Sequence, residues 1–177
     1  GVAATLQHKV ELRERRAVEA AKGRDKLLGA RQLAIDVVAT ALNERTPPAI
    51  IRNFLELTWA DVLVFVLLRH GERSEEWQRA SEVAEQLAWS GTPLDASGRE
   101  RLSGLRIALL EDLRKGLELL GGYHEDGIRR LLQDIVACQH AVQAKQPLIA
   151  ARLNPTLPAS PLGAMLGEDA ALATLAP

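Results

Sequence analysis

Apolar residues recur along most of this chain at helical spacing, and the pattern divides it into five segments and a tail. In the first segment Leu6, Val10, Ala17, Ala20, Leu27, Ala34, Val38 and Ala41 follow one another at steps of three, four or seven. That spacing predicts a helix over about residues 4–43. Arg13, Arg24 and Arg31 fall in the same register, so the seam is narrow and interrupted by cations. Gly23 and Gly29 are weak points where such a helix is expected to bend or divide. Its last ten residues, Leu33–Leu42, are more apolar and are expected to enter the main core.

Thr46-Pro47-Pro48 is a restart, with Thr46 expected as N-cap and Pro47 at the first helical position. The second helix then runs to about His70 and ends at Gly71. Ile50, Ile51, Phe54, Leu57, Trp59, Val62, Phe65, Val66 and Leu68 cover much of its circumference, which predicts the central, most buried helix. Ser74 caps a third helix to about Trp89, with Trp77, Ala80, Val83 and Leu87 as its stripe. Ser97 with Glu100 has the form of a capping box for a fourth helix, residues 98–120, in which Leu102, Leu105, Leu109, Leu113, Leu117 and Leu120 recur. Gly121-Gly122 stops it. A fifth helix is expected over about residues 125–145, with Ile128, Leu131, Leu132, Ile135, Cys138 and Val142 facing inward.

After Gln146 the character changes. Residues 146–177 hold five of the eight prolines and three charged groups. A short helix is expected only near residues 162–175. The segment reads as a tail, either a linker or a strip that docks on its own domain or a neighbouring chain, with Leu162 and Leu166 as its contact residues. The expected fold class is therefore all-α: a bundle of four to five antiparallel helices with a long charged N-terminal helix and a Pro-rich tail. The corresponding units are residues 1–43, 44–146 and 147–177.

Composition supports this. Of 177 residues 30 are Leu and 27 Ala, whereas Val, Ile and Thr together number 25 and Tyr plus Phe three. A large sheet would want more β-branched and aromatic residues. The net charge of −1 argues against a surface built throughout for nucleic acid. It is uneven: residues 1–31 carry eight basic and four acidic side chains, and the remainder is net acidic. One cysteine cannot form an internal disulfide, so a reducing cytoplasm is the expected compartment. The longest purely apolar run, Val62–Leu68, is far short of the ~20 residues that a bilayer requires, so no membrane insertion is expected. Gly1 stands where a Met would open a gene product, and a piece of a longer chain is expected.

Candidate chemistry is sparse. His8, His70, His124 and His140 form no i, i+4 pair, and His124-Glu125-Asp126 reads as a helix start with first-turn acids rather than a metal site. Cys138 and His140 are two apart on one helix and point apart. There is no G-x-S-x-G elbow and no phosphate loop. Neighbouring carboxylates such as Glu111 and Asp112 diverge on helix surfaces. No catalytic residue, metal or cofactor is therefore expected. The tryptophans Trp59, Trp77 and Trp89 read as packing residues, with Trp89, at a helix end, the candidate binding hot spot.

The spacing Phe54-Leu55-x-x-x-Trp59-x-x-Val62-Leu63, then Gly71 with Ser74-x-x-Trp77-x-x-Ala80, Leu87-x-Trp89-Ser90 and Leu113-Arg114-x-Gly116-Leu117, resembles a large proteobacterial family of long, uncharacterised cytoplasmic proteins. That family is catalogued as a domain of unknown function, and some members carry the label thymidine phosphorylase. The resemblance covers about residues 45–145 and implies a helical fold. The Gly/Ser/Lys phosphate-binding elements of such a phosphorylase are absent from this chain. The expected function is a non-enzymatic intracellular interaction or regulatory module, with a protein partner or a second copy meeting Arg13, Arg24, Arg31, Trp89, Leu162 and Leu166. The alternative is a receptor for a phosphorylated small ligand such as a cyclic dinucleotide, using Arg13, Arg16, Arg129 and Arg130. An enzyme of unassigned class is the third reading.

Overall fold

The computed structural model describes residues 1–153, and every regular element among them is helical. α1 (Val2–Leu42) is followed by α2 (Ala49–Asn53), a π-helical segment (Phe54–Trp59) and α3 (Ala60–His70), which join end to end. Then come α4 (Glu75–Ser90), α5 (Ala96–Leu120), α6 (Glu125–Gln143) and the short α7 (Pro147–Arg152). The all-α bundle expected from the periodicity is what forms. Arg79 meets Asp112 near one end of the α4–α5 pair and Arg101 covers Trp89 near the other, so these helices run antiparallel. α5 and α6 are likewise antiparallel: Arg106 meets Gln139, while Arg114 and Arg129 line one groove.

The central position predicted for the second helical segment is confirmed. Thr58 through Val64 are seven consecutive buried residues, and Phe54, Leu55 and Leu63 are fully enclosed with Leu87, Leu109, Leu113, Leu117 and Ile135. Periodicity predicts an unbroken α-helix here, and the structure instead widens one turn. The π-segment stacks the rings of Phe54 and Trp59 at 6.2 Å and sends Trp59 Nε1 to donate to the Ala80 carbonyl of α4 at 2.9 Å. A buried indole N–H is thereby satisfied outside its own helix.

Three helix starts show what local chemistry decides. Ser74 caps α4 as expected, its Oγ accepting from Trp77 N at 3.1 Å. Thr46 and Pro47 do not start α2. The residue before a proline is forced out of the α region, so Pro48 is the N-cap and the helix begins at Ala49. Nor does Ser97 cap α5. Asp95 accepts from Gly98 N at 2.7 Å, which places Ser97 inside the first turn. α5 ends where Gly121 and Gly122 take φ of 70° and 76°, a left-handed backbone open to glycine at little cost.

α1 is helical through Gly23 and Gly29 without division. At the other end, residues 147–152 of the expected tail are a helix with Ala150 buried, packed on α6. Leu162, Leu166 and the helix expected at 162–175 lie outside the described residues.

Candidate interaction site

α1 carries one seam in strict alternation of four and three: Leu6, Val10, Arg13, Ala17, Ala20, Arg24, Leu27, Arg31, Ala34, Val38, Ala41. Two different environments meet along it. From Ala30 onward Ala34, Val38 and Ala41 are buried, because this half packs on α3 and α4. Before Ala30 no residue is buried. Leu6 is 57% exposed and Val10 50%, against 0% for Ala34. Val2 and Val18 are exposed as well. The first half of the helix is thus an arm whose seam positions, from Leu6 to Arg24, are all exposed.

The arginines of the seam divide at the same point. Arg31 is half-buried and pairs with Asp61, Nη1 to Oδ1 at 3.5 Å. Asp61 is 1% exposed, on the helix that α1 packs against. Nearby, Tyr123 has its pKa raised above 10 by burial. The adjacent Thr58 hydroxyl pulls it the other way, and the Asp61 charge raises it further. The bundle therefore meets one seam arginine with a buried carboxylate. Arg13 and Arg24 are exposed and make no ion pair among the described residues.

A second concave feature lies between α3, α4 and α5, a groove of about 410 Å³. Val62, Val66, Val83 and Gly116 line it above Trp59, and His70, Glu76, Arg79, Asp112 and Lys115 form its rim. Gly116 is required by the Trp59 ring: a Cβ there would lie 2.5 Å from Trp59 Cζ3. Part of the rim charge is paired. Arg79 reaches Asp112 and Glu82, and His70 Nδ1 stands 3.9 Å from Glu76. Glu75 and Lys115, which also line the groove, make no ion pair among the described residues.

The remaining predicted residues are dispersed. Trp89 is half-buried, with the Arg101 guanidinium 5.2 Å from its ring centroid. Trp59 and Trp77 are buried, as packing predicts. Arg16 is exposed on the arm, whereas Arg129 and Arg130 are exposed on α6, where Arg129 pairs with Asp126 at 3.1 Å. α1 packs mainly on α3 and α4, and α6 mainly on α5 and α7, so the two arginine pairs share no principal packing face. Cys138 is buried, and burial pushes its thiol pKa to about 11, which holds it protonated and unreactive. No group of potential metal ligands clusters among the described residues, and no helix there is long and apolar enough to cross a membrane.

Sequence reasoning missed a buried polar fastening. Gln139 of α6 is fully buried, donating from Nε2 to Ser90 Oγ at 2.9 Å and accepting from Arg106 Nε at 3.0 Å. Ser90 Oγ in turn donates to the Leu87 carbonyl. One turn on, Gln143 Oε1 accepts from Leu94 N, and its Nε2 donates to the Thr92 carbonyl. These bonds satisfy the chain between α4 and α5 and make it part of the bundle rather than a mobile loop. The signal present in the sequence was a glutamine on the inward stripe of the fifth helix. Asp61, inside the most apolar helix, was the corresponding signal for the Arg31 pair.

An all-α bundle with one helix half outside it describes the class of fold. Within that class, residues 20–136 match the family model described as "Protein of unknown function (DUF1631) third domain", well over half of the chain, and the protein belongs to that family. The match begins inside the arm, so residues 2–19 precede it. No curated protein and no solved structure matches the chain.

Proposed function

We propose that the chain is a non-enzymatic interaction module that docks helical partners through the arm of α1. The observation carrying this reading is the seam itself, which is continuous in sequence, buried at Ala34, Val38 and Ala41, partly covered at Leu27, and exposed from Leu6 to Arg24. Exposed apolar residues in a row at helical spacing are the usual mark of a partner surface. The family description, a third domain, supports reading the chain as one unit of a longer protein. The lone buried thiol and the resemblance to bacterial cytoplasmic proteins support an intracellular setting. The buried, protonated thiol favours binding over catalysis. The phosphate-ligand reading is less favoured, since its two arginine pairs sit on helices that share no principal packing face.

The test compares the chain with Ala17→Glu, which places a charge in the middle of the arm seam. Light scattering after size exclusion and titration calorimetry with amphipathic helical peptides read association. Association that Ala17→Glu abolishes supports the proposal. A monomer that binds no helical peptide contradicts it.

A further inference from the structure

We infer that the arm is completed by an apolar partner helix carrying carboxylates placed against Arg13 and Arg24; this rests on the reading above and names the partner's chemistry. The molecule already contains one worked instance. Where the seam enters the bundle, Arg31 is met by Asp61, a buried carboxylate followed by the apolar run Val62–Leu68. Arg13 and Arg24 occupy the same seam, flanked along it by Val10 and Ala17 and by Ala20 and Leu27. Covering them with an apolar surface alone would strand two desolvated guanidinium groups without counter-charge. The arm's own carboxylates, Glu11, Glu14, Glu19 and Asp25, lie off the seam, where Glu19 reaches Lys22. Ala17 and Ala20 between the arginines leave room for close approach of a second backbone. Arg13 and Arg24 are eleven residues apart, about 16 Å along the axis, and the partner's carboxylates are expected at a similar spacing.

A second copy of this chain fits less well. Parallel pairing sets Arg13 against Arg13 and Arg24 against Arg24. Antiparallel pairing with layers Leu6–Arg24, Val10–Ala20 and Arg13–Ala17 sets each cation against an apolar side chain. Both bring together two arms from a segment in which basic side chains outnumber acidic ones by two to one. A heterologous acidic helix relieves both problems.

Three synthetic helical peptides test this, identical except at two seam layers eleven residues apart, which carry Asp, Asn or Lys. Fluorescence anisotropy with the full chain is expected to show the Asp peptide binding about tenfold tighter than the Asn peptide. Added salt should narrow that gap, and the Arg13→Glu/Arg24→Glu chain should prefer the Lys peptide. Both substitutions are at exposed sites, so folding is not at stake. Equal binding of Asp and Asn peptides would overturn the charge inference and leave helix docking standing. A homodimer abolished by Ala17→Glu would overturn it in favour of a second copy. Saturable binding of inorganic pyrophosphate lost in the double variant would overturn it in favour of a phosphate ligand. Failure of every peptide to bind would sink docking and charge matching together.

Discussion

The two halves of α1 share a register, a seam and a similar mix of Ala, Leu and Arg, yet only the second half belongs to the core. Ala34 is completely buried while Ala17, on the same seam, is exposed. Arg31 meets a carboxylate while Arg24, seven residues earlier, meets none among the described residues. The difference lies in what stands opposite rather than in the helix. α3 and α4 reach only as far as the second half, so tertiary packing supports that half, and intrinsic propensity together with surface pairing supports the arm. A heptad pattern thus shows that a helix wants a partner without showing whether the partner is in the same chain.

The comparison breaks most sharply at matched substitutions. Ala34→Glu places a carboxylate where nothing can hydrate it, and a loss on the order of 4 kcal/mol or more is expected in denaturant unfolding. Ala17→Glu should change the same midpoint by no more than about 0.5 kcal/mol. Next come the arginines. Arg31→Ala removes the guanidinium that stands 3.5 Å from the buried Asp61 carboxylate. Because Arg31 is only half-buried, the loss is expected at about 1–2 kcal/mol, less than for a fully enclosed pair. Arg24→Ala should be silent in the isolated chain and should weaken only partner binding.

Glycines sharpen the same contrast with smaller effects. Gly116→Ala gains helix propensity but drives a methyl into the Trp59 ring, which the bond to Ala80 holds in place, so a net loss of about 1–2 kcal/mol is expected. Gly23→Ala meets nothing within 4 Å. It should raise arm helicity, read by circular dichroism, by up to about 1 kcal/mol of local stability without moving the unfolding midpoint of the bundle.

Legibility in the sequence followed the same division. The Leu and Ala stripes gave the helices nearly to the residue, and the central helix was marked by apolar residues on every side. Helix starts that depend on one competing side chain, Asp95 over Ser97 and Pro48 over Thr46, were misplaced because each rests on geometry that neighbouring residues can also offer. The π-segment left no mark in the periodicity; the contacts it goes with are distant in sequence, Trp59 donating to Ala80 of α4 and lying against Gly116 of α5. Of the candidate site, the seam was visible and its partition was not. Separating Arg31 from Arg13 and Arg24 required knowing that Asp61 faces α1, a contact between residues thirty apart.

Amide hydrogen exchange along α1 of the dilute chain tests the central claim most directly, because one helix supplies both the measurement and its control. Amides over residues 6–22 should exchange through local fraying, with little protection, while those of Ala34–Ala41 should approach the protection of global unfolding. Uniform high protection along α1 in the dilute chain would contradict the account, since it would require cover over the arm that the bundle does not provide.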